Sequence, residues 1–337
     1  MFNRLSLRVA SATLALALPL SVVAQTAFTD VPADSNLRPA VEYLASKGIL
    51  QVAEKFNPDQ NLTREQAAKV IIASIVSAEE LAKVTATQFK DVSGWSVPFV
   101  EAARIMGVVQ TVEKFRPVDP VTKAEFIKMT LAARGIDYNA AFNDITGQLS
   151  KDVPVDAWFA SVMRYAIASS MTAVDTSGNL NPEQKITRAQ MALLLFRLDM
   201  YAQNQRTQAL LSQAETDIGN VLQQLEAEQP DEAGFASTRS ILAARGALAS
   251  RPDEVIVKAA VKISEAFSQL VAGYRAGAAG NFDETIAQAK AAYASADKAE
   301  SFSPALSALA NQIRDIAKNM AEEARTVKAQ GGIPQPQ

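Results

Sequence analysis

The sequence contains no cysteine and no histidine. Without thiols the chain forms no disulfide, binds no metal through thiolate and has no cysteine nucleophile. Without imidazole it lacks the commonest general base and the commonest metal ligand. Carboxylates alone can hydrolyse glycosides or hold calcium, but no D-x-[DN]-x-[DN]-G loop occurs. Charge of either sign is not in large excess: a net −3 and a pI near 5.3 give no reason to expect nucleic acid as a partner. The remaining composition, 48% hydrophobic and 20% charged, is that of a globular chain, and 337 residues leave room for two or three domains. No catalytic residue, metal site or cofactor is expected.

The first apolar run lies at the N-terminus. Arg4 and Arg8 precede an apolar core from Ala10 to Leu20, and Val22-Val23-Ala24 offers a cleavage site before Gln25. This is the pattern of a secretory signal over residues 1–24. The run is short for a spanning helix of roughly 20 residues, and Pro19 interrupts it; an N-terminal anchor is the alternative. No second such run follows, so the expected mature chain is exported and has no transmembrane span.

Three landmarks then recur in one order. An Asp-Val pair opens each unit, at Asp30-Val31, Asp91-Val92 and Asp152-Val153, spaced by 61 residues. An x-x-Pro turn follows, as Phe56-Asn57-Pro58, Phe115-Arg116-Pro117 and Leu180-Asn181-Pro182. Last comes a short motif, TREQ at 63–66, TKAE at 122–125 and TRAQ at 187–190. Ordered landmarks at matched spacing establish a triplicated unit. Each unit reads as two helices. The first has apolar spacing at Val41, Leu44 and Ala45, at Val100, Ala103 and Met106, and at Val162, Tyr165 and Ala166. Gly48 and Gly107 suit the left-handed residue that ends it in copies one and two.

The T-x-x-E/Q motif predicts the start of the second helix. Thr63, Thr122 and Thr187 are placed as N-caps, with Gln66, Glu125 and Gln190 reaching back to the cap amide in a capping box. Capping leaves one feature unexplained. Arg64, Lys123 and Arg188 stand at the first helical position, where the helix dipole disfavours a cation. Exposed amides beside a guanidinium would form a carboxylate or phosphate site; solvated surface cations are the plainer alternative.

These residues resemble the S-layer homology family, whose repeat opens F-x-D-V, has an aromatic at the start of helix one, a G-I step, F-x-P and T-R-A-E. The match runs through Phe28-Thr29-Asp30-Val31, Phe89-Lys90-Asp91-Val92, Gly48-Ile49, Trp95, Trp158, Phe56 and the three motifs, over residues 28 to about 200. The resemblance implies a pseudo-threefold spindle of helices with grooves between its prongs. It further implies binding of cell-wall polysaccharide, often pyruvylated, and a place on the cell wall, the cell surface or the envelope. By the same resemblance Arg64 and Arg188 would meet the acidic group of the glycan, with Lys123 a weaker contact that lacks the guanidinium fork. Trp95 and Trp158 would either pack in the prong core, the favoured reading, or line a groove. Copy one has Asn36 in place of the aromatic. Ser150 replaces the opening phenylalanine of copy three, and Phe142-Asn143-Asp144-Ile145 is a rival start. The family's second loop glycine is replaced by Val52, Thr111 and Val174, which removes room for close approach of a sugar.

Beyond residue 200 the texture becomes alanine-, glutamine- and glutamate-rich. The last motif helix is expected to run on from Arg188 to near Gln229-Pro230, with a seam at Leu211, Ala214, Ile218, Val221 and Leu225. Further helices are predicted over 236–249, 253–278, 283–299 and 303–328. Gly280-Asn281-Phe282-Asp283 is faintly similar to a tetratricopeptide hairpin, without a 34-residue period.

The expected fold is therefore all-α, three tandem repeats in a pseudo-threefold arrangement followed by a helical bundle. Boundaries are placed at 28–82, 88–138 and 142–200 for the repeats, 201–330 for the bundle and 331–337 for a flexible tail. Three functions are open. The repeats bind an anionic glycan of the wall; or they serve as scaffold while the bundle binds a protein or its own copy; or carboxylates of the helical half hydrolyse glycan. The last is disfavoured because Glu226, Glu228, Glu322 and Glu323 sit at solvated helical spacings.

Overall fold

The computed structural model describes residues 28–330. The signal reading at 1–24 and the tail at 331–337 lie outside the described residues. Copy one contributes α1 (Arg38–Ser46), α2 (Arg64–Ala73) and the single turn α3 (Ala78–Leu81); copy two α4 (Val97–Ile105) and α5 (Lys123–Ala133); copy three α6 (Ala160–Ala168) and α7 (Arg188–Ala202). The bundle is α8 (Thr207–Glu226), α9 (Pro230–Ser250), α10 (Val255–Ala278), α11 (Phe282–Phe302) and α12 (Ser307–Ala329). Among the described residues there is no extended strand, only isolated bridges, and no helix long and apolar enough to cross a membrane.

The three motif helices start together. Leu62 N–H donates to the Ile186 carbonyl, Ile186 to Val121 and Val121 to Leu62, closing a ring of three backbone bonds at 2.9–3.1 Å. From this ring α2, α5 and α7 run in parallel around the pseudo-threefold axis. Ala67, Ile71, Ile127, Leu131, Met191 and Leu195 are buried in their shared core. Each motif helix packs against the first helix of the next copy: α2 on α4, α5 on α6 and α7 on α1. No repeat is therefore complete alone, because each prong takes its two helices from different copies.

The first helices end as their sequence predicts. Gly48 and Gly107 both have φ +71°, and Ser170 takes the left-handed position in copy three at φ +58°. The last motif helix does not run on to residue 229. It ends at Ala202, Asn204 is left-handed at φ +59°, and α8 begins at Thr207. The break is fixed from outside, since the Arg206 guanidinium at the turn donates to Ser170 Oγ at 2.8 and 3.2 Å. The helix expected over 236–249 begins earlier, because Pro230 occupies its first turn, where a missing N–H costs nothing.

In the bundle successive helices pack in hairpins, and α10 also touches α8 and α12. Alanines at 289, 292, 296 and 299 of α11 and at 310, 317, 321 and 324 of α12 are buried, so close packing needs no large side chains. In α8 the buried stripe is Leu210, Ala214, Asp217 and Val221. Asp217 thus falls on the inner face. Its carboxylate meets Arg239 of α9 at 2.6 and 3.0 Å, and Arg239 donates also to the Leu149 carbonyl at 2.7 Å. Burial pushes the Asp217 carboxyl up, with Arg239 opposing.

That arginine joins the two halves. α9 lies on α6, Leu242 is buried in the core of the repeats, and Tyr201 Oη donates to the Gly246 carbonyl at 3.3 Å. A Cβ at Gly246 would lie 1.7 Å from the Ala168 carbonyl oxygen. Only glycine permits this approach of two helices.

Candidate functional site

All three capping boxes form. Thr63 Oγ1 accepts from Gln66 N–H, Thr122 from Glu125 and Thr187 from Gln190, and each Gln or Glu side chain accepts from the cap amide in return. The next amides are not free. Arg64 and Glu65 N–H donate to the Asp119 and Pro117 carbonyls, Lys123 and Ala124 to Gln184 and Pro182, and Arg188 and Ala189 to Gln60 and Pro58, all at 2.8–3.0 Å. The idea of exposed helix-start amides at an anion site is therefore corrected. Carbonyls of a neighbouring copy's turn already occupy them.

The motif cations follow the same cycle. Arg64 Nε donates to the Phe115 carbonyl at 2.9 Å, Lys123 Nζ to Leu180 at 2.8 Å and Arg188 Nε to Phe56 at 2.6 Å. Both arginines stack on the ring of the residue they bond, with Cζ 5.0 Å from the Phe115 centroid and 4.9 Å from Phe56. Where the cation is lysine the partner is the non-aromatic Leu180. These latches supply a local reason for a cation at an unfavourable dipole position. Burial lowers the pKa of both arginines and brings Lys123 down to about 8. The terminal nitrogens of Arg64 and Arg188 make no further hydrogen bond among the described residues.

The opening aspartates hold the turn that receives each latch, a role that spacing alone did not reveal. Asp30 accepts from Phe56 and Asn57 N–H at 2.7 Å each, Asp91 from Phe115 and Arg116 at 2.8 Å each, and Asp152 from Leu180 and Asn181 at 3.0 and 2.6 Å. The second residue of each turn is left-handed, with φ of 56°, 59° and 51°. Burial alone would raise Asp30 and Asp91, but their amide bonds outweigh it and hold both carboxyls below the ordinary value. In copy three Asp152 performs this role, whereas Asp144 pairs with Arg245 at 3.1 Å. The Phe142 string is thus not the functional start, and Ser150 Oγ bonds Asp152 at 2.6 Å where the other copies have phenylalanine.

Trp95 and Trp158 are not core residues: they are 50% and 52% exposed. Each carries an ammonium over its ring, Lys69 at 5.4 Å from the Trp95 centroid and Lys128 at 5.2 Å from Trp158. The lysines come from α2 and α5, the tryptophans from the following copy, so each platform spans a prong. Lys69 and Lys128 both stand six residues after the motif threonine, a recurrence legible in the sequence. The third prong lacks both groups, with Leu193 and Asn36 in their places. Val52, in place of a loop glycine, is 64% exposed and fills no groove.

Comparison with known proteins agrees with this geometry. The model of the S-layer homology domain matches residues 27–68, 88–127 and 151–192. The chain is 25% identical over 201 residues to an S-layer protein of Bacillus thuringiensis subsp. finitimus, covering 57% of this chain and 24% of that one. It is 26% identical over 185 residues to the S-layer protein sap of Bacillus anthracis, covering 54% and 22%. An endoglucanase of Bacillus sp. (strain KSM-635) is 30% identical over 129 residues, 36% of this chain and 13% of the enzyme. The chain thus spans about a quarter or less of the length of these relatives. Residues 27–192 thus carry three consecutive matches to the S-layer homology domain.

Proposed function

We propose that this is a cell-surface protein of S-layer type, attached non-covalently to an anionic cell-wall polysaccharide through its three repeats. The observation that carries the reading is the pair of exposed Trp–Lys platforms, Trp95 with Lys69 and Trp158 with Lys128. An indole face stacks on the apolar face of a sugar ring, and an adjacent ammonium attracts an acidic substituent such as a pyruvyl group. The free guanidinium edges of Arg64 and Arg188 add donors. Lys123 has its ammonium committed to Leu180 and contributes least. Two prongs are thus equipped to bind, and the third is not. The bundle, residues 201–330, then extends from the wall as a structural or adaptor part. The reading involves no reaction.

The latches favour a second reading, in which the repeats are scaffold and the bundle binds a protein partner or its own copy. Arg64, Lys123 and Arg188 already have a structural role there, so their replacement would mix folding with binding. The discriminating variant is Trp95→Ala with Trp158→Ala, because neither indole is a core residue and the loss of each exposed cation–π contact should cost the fold only about 0.5–1 kcal/mol. Sedimentation with isolated cell wall should show at least about a tenfold loss of affinity in this variant, the loss of one good stacking contact being about 1–2 kcal/mol. Undiminished sedimentation, with the fold intact by circular dichroism, would sink the glycan reading in favour of the scaffold.

A further inference from the structure

At the other end of the three-helix core, about 15 Å along α2 from Arg64, a cavity of about 300 Å³ opens between the last turns of α1, α2 and α7. Tyr43, Lys47, Ser74, Asp199 and Gln203 form its polar wall. Asp199 is held at 2.5 Å by Arg134, the residue that follows α5, which fixes the direction of its carboxylate. The Tyr43 hydroxyl faces that carboxylate and the Gln203 amide; burial and then Asp199 raise its pKa, so it remains a donor at neutral pH. The Lys47 ammonium lies 5.6 Å from the Tyr43 ring centroid.

The pseudo-threefold supplies a control. Tyr43 and Lys47 correspond to Ala102 and Met106, since the N–H of Lys47 bonds Tyr43 and that of Met106 bonds Ala102. Asp199, counted from the motif threonine, corresponds to Ile75. The prong of α2 and α4 is thus built with aliphatic groups at the same places, so the fold does not require the polar ones. In the prong of α5 and α6 the end of α6 is covered by α9, through Ala168 against Gly246. The polar groups Tyr43, Lys47 and Asp199 of this cavity are therefore not repeated at the same places in the prong of α2 and α4.

Its charges nearly cancel. Arg134 neutralises Asp199, and Lys47 stands against the partial negative charge of three converging helix C-termini. An anion would meet Asp199 and a cation would meet Lys47, whereas a neutral molecule can use both. We infer that this cavity binds one uncharged sugar ring, with hydroxyls donating to Asp199 and the Tyr43 oxygen and accepting from Lys47 and Gln203. A space of about 300 Å³ is at the small end of ligand pockets and suits a single ring. The site is separate from the Trp–Lys platforms and does not depend on their role.

The test is a titration of the full chain, labelled at alanine methyls, with glucose and separately with N-acetylglucosamine, each to about 50 mM, well beyond a millimolar Kd. Ala73 and Ala202 line the cavity, and their signals should shift saturably with at least one sugar. Asp199→Asn should weaken that response by about tenfold, the loss of one charge-assisted bond. Should that variant fail to fold, Gln203→Ala, at an exposed helix end, must weaken it instead. No saturable shift with either sugar, or an unchanged response in the folded variants, overturns the assignment. The indole signals of Trp95 and Trp158 appear in spectra of the same samples, so failure there is read apart from failure here.

Discussion

Lys123 should make the protein more stable as pH rises above neutrality. Its ammonium is buried, bonded to the Leu180 carbonyl and close to Asp152, Asp175 and Arg197. Burial brings its pKa from 10.5 to about 8. Between that value and the unfolded value, the folded state binds fewer protons than the unfolded state. Stability therefore increases with pH across this window. Each pH unit is worth about 1.4 kcal/mol, so the group adds about 2 kcal/mol between neutrality and about pH 9.5. Lys123→Met preserves the aliphatic stem and removes the titration. Urea unfolding of both proteins, followed by circular dichroism at several pH values, should give a stability difference that grows by about 2 kcal/mol over that range. Tyr43 and Tyr165, whose pKa values are raised by burial, oppose the trend at higher pH but are common to both proteins. Parallel pH profiles would refute the argument, because they would mean that the ammonium is solvated in the folded state.

Two further substitutions test the repeat and the junction. Asp91→Ala removes the acceptor of two amide bonds at 2.8 Å and releases a left-handed Arg116; it should cost about 3 kcal/mol in thermal or urea unfolding, and a cost within experimental error would refute the clamp. Because the folded Asp91 carboxyl is held below its ordinary value, its contribution is complete above about pH 4 and is lost as pH falls through the folded pKa, so Asp91→Asn should flatten the acid limb of the stability profile. Gly246→Ala drives a Cβ into the Ala168 carbonyl and should cost about 3 kcal/mol or more, seen as early proteolysis around residues 203–206. The control is Gly219→Ala in α8, where nothing lies within 4 Å, which should gain up to about 1 kcal/mol; equal behaviour of the two would refute the close-approach argument.

The latch cycle bears on how such repeats can vary. Each opening aspartate shapes a turn, that turn presents a carbonyl, and the cation of another copy binds it. Arg64 and Arg188 each meet a phenylalanine, whereas Lys123 meets Leu180. A guanidinium plane stacks on an aromatic ring and a compact ammonium does not need one. The cation and the ring therefore differ together between copies, although they are far apart in the chain.

What the sequence by itself determined was local. The threonine caps, the left-handed Gly48 and Gly107, and the apolar spacing of the first helices rest on contacts within one or two helical turns, which a pattern of neighbours can specify. The triplication was legible because Asp30, Asp91 and Asp152 stand at equal spacing, although what those carboxylates bind was not. Only the tertiary structure decided the long-range matters. The bond from Arg188 reaches a carbonyl 132 residues away, and it closes a ring in which every copy completes its neighbour. Trp95 and Trp158, expected in a core, are half-exposed, each beside a lysine from the motif helix of the preceding copy, a pairing that no local pattern within one repeat specifies. The end of α7 at Ala202 likewise depends on Arg206 reaching Ser170 and on α9 lying against α6. A helix boundary set from outside its own segment has no local signal to read.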